Sequence, residues 1–230
     1  MIKFLFFVGF GQKCGSSVVW SILNSHPKIK MALDDELLDD NLSRQQVINR
    51  IMKSKAHQGP IIRGIPKRKN IEIIGNKKAY ITTDLMKNNP ANFQFFVDKM
   101  KLEPIFIHPI RDPFDTILSR SKMDYERRKN KKLDIHYFIN RNIQIYHDRC
   151  RTVNSIQHVL HIKNEELIKN TIELLKIMFS FIGVNTSKKE LDIFAKHVKK
   201  KLHKYDKKIF TDGETEKIWR TINSFVFLQD

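Results

Sequence analysis

Two short stretches of this chain carry residue types suited to the handling of anions. The first, Lys13-Cys14-Gly15-Ser16-Ser17, follows the apolar run Phe4-Leu5-Phe6-Phe7-Val8 and the turn Gly9-Phe10-Gly11. Free backbone N–H groups at a helix start, with the positive end of the helix dipole, form a generic phosphate site. Two hydroxyls and a flexible glycine can surround the anion, and a lysine adds charge where a leaving oxygen would form. The second stretch, Arg111-Asp112-Pro113-Phe114-Asp115-Thr116-Ile117-Leu118-Ser119, follows another apolar run that ends at Ile110. There Arg111 offers a charged fork at a strand end, and Ser119, two helical turns on, offers a hydroxyl to the same anion. The carboxylates of Asp112 and Asp115 read as helix caps rather than catalysts.

Each stretch needs a strand behind it and a helix ahead. Phe4 to Val8 has the continuous apolar character of a buried parallel strand, and Val18, Val19, Ile22 and Leu23 then recur at helical spacing. Pro104 to Ile110 predicts a second strong strand. Asp112 as N-cap and Pro113 at the first helical position announce a helix from Asp115 to about Ser121. Arg44 to Lys53, Phe93 to Met100, His136 to Arg151, Leu167 to Phe181, Lys188 to Leu202 and Glu214 to Phe225 read as further helices. Ile61-Ile62, Ile71 to Ile74 and His158 to Ile162 read as further strands. Lys122 to Lys132 is dense in basic residues without helical apolar spacing, which predicts an exposed loop or lid over roughly 122–135. Strands alternating with helices imply an α/β fold, a central parallel β-sheet flanked by helices.

The 230 residues hold no Pro/Gly/Ser-rich divider, so one domain over 1–230 is expected. Hydrophobic residues make up 41% of the chain, with 16 phenylalanines, enough for a sizeable core and against bulk disorder. The net charge of +17, from 42 basic against 25 acidic residues, favours anionic partners such as nucleotides, nucleic acid, acidic glycans or acidic membranes. Two cysteines are too few for a disulfide framework and point to a reducing compartment. The opening apolar run is too short for a signal peptide and lacks a small-residue cleavage site, and no stretch has the length of a membrane span. A cytoplasmic protein is the expectation.

The loop fails the Walker A spacing, because Gly15 is followed by serine rather than by Lys-Ser/Thr. It resembles instead the Lys/Arg-Ser-Gly-Thr/Ser-Thr/Ser loop of the sulfotransferases that use 3'-phosphoadenosine-5'-phosphosulfate (PAPS). Residues 111–119 resemble that family's Arg-x-Pro-x-Asp-x-x-x-Ser signature. Weaker similarity covers His26-Pro27, Ile73-Ile74-Gly75-Asn76-Lys77-Lys78 and Asn164-Glu165-Glu166-Leu167, where Asn76 and Asn164 depart from the bacterial pattern. The resemblance implies a P-loop NTPase-like sulfotransferase fold with PAPS as co-substrate. It implies that Lys13, Cys14, Gly15, Ser16 and Ser17 hold the 5'-phosphosulfate, and that Arg111 and Ser119 hold the 3'-phosphate. Cys14 stands where serine is usual, which weakens one hydroxyl contact but not the backbone cradle.

Sulfuryl transfer needs an acceptor aimed in line at sulfur, stabilisation of the departing phosphate and a base for the acceptor's proton. Lys13 is the candidate for the leaving-group contact, and Lys77 a candidate contact for donor or acceptor. By resemblance, the base falls in Leu33-Asp34-Asp35-Glu36, with Asp34 nearest the expected place and Glu36 behind it. His57 and His108 are alternatives. No metal is required, and His158-x-x-His161 on a strand would point its rings to opposite faces. Small-molecule, glycan and lipid acceptors all stay open. A kinase-like phosphoryl-transfer enzyme is the rival within enzymes, but it would want Gly-Lys-Ser/Thr and an acidic strand end for magnesium. A basic nucleic-acid-binding module, using Lys122 to Lys132 and Lys199-Lys200-Lys201, is the rival outside them, though no recognition motif accompanies its charge.

Overall fold

A computed structural model describes residues 2–11, 13–33, 37–38, 41–54, 62, 64–66, 70–128, 133–198 and 206–229. The strands are β1 (Ile2–Phe7), β2 (Ile29–Ala32), β3 (Ile73–Asn76), β4 (Leu102–Ile110) and β5 (Val159–Lys163). They pair in parallel in the order β2-β3-β1-β4-β5, so the two strongest apolar runs lie side by side at the centre. The helices are α1 (Ser16–Ser25), α2 (Arg44–Lys53), α3 (Ala79–Asn88), α4 (Pro90–Met100), α5 (Pro113–Arg128), α6 (Ile135–Asn154), α7 (Asn164–Lys169), α8 (Thr171–Ile182), α9 (Lys188–His197) and α10 (Asp212–Ser224).

Alternation along β1 divides the core. Leu5 and Phe7 face the layer that holds Val19, Ile22 and Leu23 of α1 with Met178, Phe179 and Ile182 of α8. Phe4, Phe6 and Val8 face the opposite layer, with Val47 and Ile51 of α2 and Phe93, Phe96 and Met100 of α4. Both faces are therefore covered, as a parallel sheet requires. Each fully buried phenylalanine of β1 contributes roughly 2–3 kcal/mol of transfer free energy. A third cluster, Phe10, Ile110, Phe114, Ile139, Tyr146 and Ile218 among others, lies beyond the carboxyl ends of β1 and β4 and packs α5, α6 and α10 together.

Several expectations need correction. The helix after Pro113 does not stop near Ser121 but runs to Arg128, so residues 122–128 are helix and not a basic loop; 129–132 lie outside the described residues. The inner face of its second half is polar: Ser121 and Asp124 are buried and both accept from Asn142 Nδ2 of α6, at 3.1 and 3.2 Å. An apolar-periodicity test cannot see a face satisfied in this way. Ile62 is not in a strand, and Ile61 lies outside the described residues. β2 was not expected, because its interior Lys30 breaks the apolar run. That lysine is 6% exposed and its Nζ donates to Ser54 O at 2.8 Å. The helix expected over Leu167 to Phe181 is two, broken at Asn170, and α9 ends at His197.

Candidate functional site

β1 empties into Gly9, whose left-handed φ of 98° leaves no room for a Cβ, since one would stand 2.3 Å from His108 Cδ2. The turn is pinned from outside by Arg149 of α6. Its Nη1 donates to Phe10 O at 3.1 Å, while Nε and Nη2 grip Asp84 of α3 at 2.9 and 2.6 Å. The chain then passes Lys13, left-handed at φ 65°, and Gly15, at φ 84° and ψ 3°, before α1 begins. A non-glycine residue in that region is uncommon and stores roughly 1–3 kcal/mol of strain.

Ser16 Oγ donates to Gly11 O at 2.8 Å, and Ser17 Oγ accepts from Lys77 Nζ at 2.8 Å. Lys77, at the end of β3, also stands 5.0 Å from the ring centroid of Trp20, and burial lowers its pKa from the ordinary lysine value. Lys13, Ser16, Ser17, Lys77, Lys78 and Tyr80 are among the residues around a cavity of about 290 Å³. Cys14 turns inward, 2% exposed, with Sγ 3.3 Å from Gly11 O, and burial raises its thiol pKa so that it stays protonated.

After β4, Asp112 caps α5 by accepting from Asp115 N at 3.1 Å. Arg111 Nη2 pairs with Asp115 Oδ2 at 3.2 Å, and Lys207 Nζ with Asp112 Oδ2 at 2.9 Å. Arg111, Lys163, Lys207, Phe114 and Trp219 help to line a second cavity of about 330 Å³. Ser119 is buried at 5% exposure and lines neither cavity.

The two stretches, about a hundred residues apart in sequence, are neighbours in space. Val8 N donates to Ile107 O at 2.9 Å where β1 leaves β4. The start of α7, directly after β5, bridges them: Asn164 Nδ2 donates to Cys14 O at 3.0 Å, and Glu165 Oε1 accepts from Asp112 N at 3.2 Å. Asn164 and Arg149 escaped the sequence argument, and the only signal in the sequence was the place of Asn164 in the segment after the late strand.

The candidates for the general base fare unevenly. Asp34, Glu36 and His57 lie outside the described residues. His108 is buried against Gly9, with Nδ1 3.1 Å from His161 Nδ1, and burial lowers its pKa to about 3. His158 sits before β5 rather than on it, and Phe227 stacks on His161 at 4.6 Å. Among the described residues, no group of His, Cys, Asp and Glu could hold a metal ion, and no helix is long and apolar enough to cross a membrane.

As a sequence, the chain matches no family model and no curated protein. As a structure, it is similar to sulfotransferase STF9 from Mycobacterium avium, with a TM-score of 0.65 at 9% identity over 98% of this chain and 78% of that one. It is also similar to mouse sulfotransferase SULT7A1 complexed with PAP, with a TM-score of 0.54 at 16% identity over 96% of this chain and 84% of that one. The chain has the sulfotransferase fold. Within this fold, the strand order places the Lys13 loop and the Arg111 turn at the carboxyl ends of the two central strands, where open α/β sheets bind ligands.

Proposed function

We propose that the protein is a sulfotransferase that moves a sulfuryl group from PAPS to a hydroxyl or amine acceptor. The observation that carries this reading is the bridged pair of anion-suited turns at the ends of β1 and β4, joined through Asn164 and Glu165. It is supported by the fold shared with two solved sulfotransferases, one of them holding PAP. Lys13, Ser16, Ser17 and the start of α1 receive the 5'-phosphosulfate, with the Cys14 and Gly15 backbone forming the turn. Arg111 receives the 3'-phosphate. Ser119, buried two turns into α5, is assigned to the same phosphate.

The acceptor's oxygen or nitrogen forms the new bond to sulfur while the bond from sulfur to the phosphate oxygen breaks. Lys13 and Lys77 hold the negative charge that builds on that oxygen, aided by the N-terminus of α1. The acceptor's proton passes to a base, which we assign to Asp34. The proposal requires no metal ion, and glycan, lipid and small-molecule acceptors all fit its chemistry.

A thermal-shift series tests the reading. Adenosine 3',5'-bisphosphate at a hundredfold excess over its dissociation constant should stabilise the fold by about 2.7 kcal/mol. Stabilisation by ATP with magnesium and not by the bisphosphate would favour a kinase, and by oligonucleotides alone a nucleic-acid-binding module. Arg111→Ala should weaken the 3'-phosphorylated nucleotide far more than its counterpart lacking that phosphate. Equal weakening of both would remove Arg111 from this role. Asp34→Asn should lower turnover and largely spare nucleotide binding.

A further inference from the structure

We propose that Asn164 is a positioning residue that sets the polarity of the Lys13–Ser17 loop, so that the loop presents backbone N–H rather than C=O to an anion. This inference rests on the functional reading above. The amide of Asn164 is 4% exposed, and its Nδ2 donates to Cys14 O at 3.0 Å. It occupies the space a side chain at residue 15 would need, since a Cβ on Gly15 would lie 1.6 Å from Nδ2 and 2.2 Å from Cγ.

In a trans peptide the C=O and the following N–H point in opposite directions, and no cis bond occurs among the described residues. By holding the Cys14 carbonyl on its own side, Asn164 therefore turns the Gly15 N–H to the other. Lys13, Ser16, Ser17 and Lys77 line the cavity beside the loop, and Asn164 is not among its lining residues. A flipped peptide would aim the partial negative charge of the carbonyl at the bound anion. Gly15 at φ 84° could accept such a flip, because glycine has access to several backbone regions that other residues lack. A donor bonded to the Cys14 carbonyl removes that freedom.

The position calls for a side chain that can donate across to Cys14 O. Aspartate has nearly the same shape but would set a carboxylate against the Cys14 carbonyl and add negative charge beside the anion site. The next residue, Glu165, accepts from Asp112 N at 3.2 Å, so the start of α7 also anchors the segment after β4. The effect of Asn164 itself should fall on one end of the nucleotide only.

Isothermal titration of the wild-type chain, Asn164→Asp and Asn164→Ala with two probes separates the cases. The probes are adenosine 3',5'-bisphosphate and adenosine 3'-monophosphate, which lacks the 5' anion. Both variants should bind the bisphosphate at least tenfold more weakly and the monophosphate within twofold of wild type. Equal weakening of both probes, or an unchanged affinity for the bisphosphate, would overturn the assignment. Should the aspartate variant not fold, Asn164→Ser, whose short hydroxyl cannot span to Cys14 O, is read by the same ratio. Wild-type chain that binds neither probe would show that the functional reading itself has failed, and the role of Asn164 with it.

Discussion

The Lys13–Ser17 loop takes its shape from backbone conformation, with Lys13 and Gly15 both left-handed and Gly9 seated on a histidine ring. The turn at Arg111, one strand away, is held by side chains: a guanidinium on Asp115, a carboxylate cap from Asp112 and an ammonium from Lys207. A site shaped by backbone fails when a single carbon atom is added. A site shaped by charge pairs fails when one partner is removed, and only as far as that pair is shielded from water.

The largest effect expected is from Gly15→Ala. The added carbon must displace the Asn164 amide, and alanine pays the left-handed penalty of roughly 1–2 kcal/mol. With the loss of the Asn164 bond, destabilisation should reach about 3 kcal/mol by urea unfolding. A cost below about 1 kcal/mol would show that the loop adapts cheaply and would erase the contrast. Arg111→Gln comes next, because it strips the guanidinium from Asp115, which is 4% exposed. The expected loss is roughly 2–3 kcal/mol, with much of it regained on adding Asp115→Asn; a double-mutant cycle without coupling would deny the pair its structural role.

Acid should act through the loop's floor. His108 has a folded pKa of about 3, below the unfolded value of about 6.5, because burial penalises the charged ring. The unfolded chain therefore binds more protons between these values. The stability held above pH 6.5 is lost progressively as pH falls toward 3, by about 2 kcal/mol at pH 5. Urea unfolding at pH 7 and pH 5 should show this slope, and His108→Gln should lessen it; an unchanged slope would clear His108. The smallest effect belongs to Lys207→Ala. Its pair with Asp112 is exposed, at 55% and 32%, so a change within about 0.5 kcal/mol is expected by the same measurement. A larger loss would mean that the charge-built turn is less screened than its exposure indicates.

The central strands were readable because a buried parallel strand writes itself as an unbroken apolar run, as in Phe4 to Val8 and Ile105 to Ile107. The cap at Asp112 and the proline at residue 113 announced α5 correctly, but not its length. Its second half is fixed by Ser121, Asp124 and Asn142 bonding across to α6, which leaves no apolar rhythm to detect. β2 was hidden for a related reason, a lysine buried with its charge on a carbonyl.

By itself the sequence determined the alternation of strands and helices, the two anion-suited turns and the chemistry each could offer. Those features depend on residue types within a few positions of one another. Tertiary structure alone decided that the turns are neighbours, that Cys14 faces inward, and that Lys77 reaches the loop. It also brought Asn164 and Arg149 to the loop from 150 and 139 residues away. Such contacts exist only once the sheet has ordered its strands, because what pairs β1 with β4 is the burial of whole faces and not any local pattern.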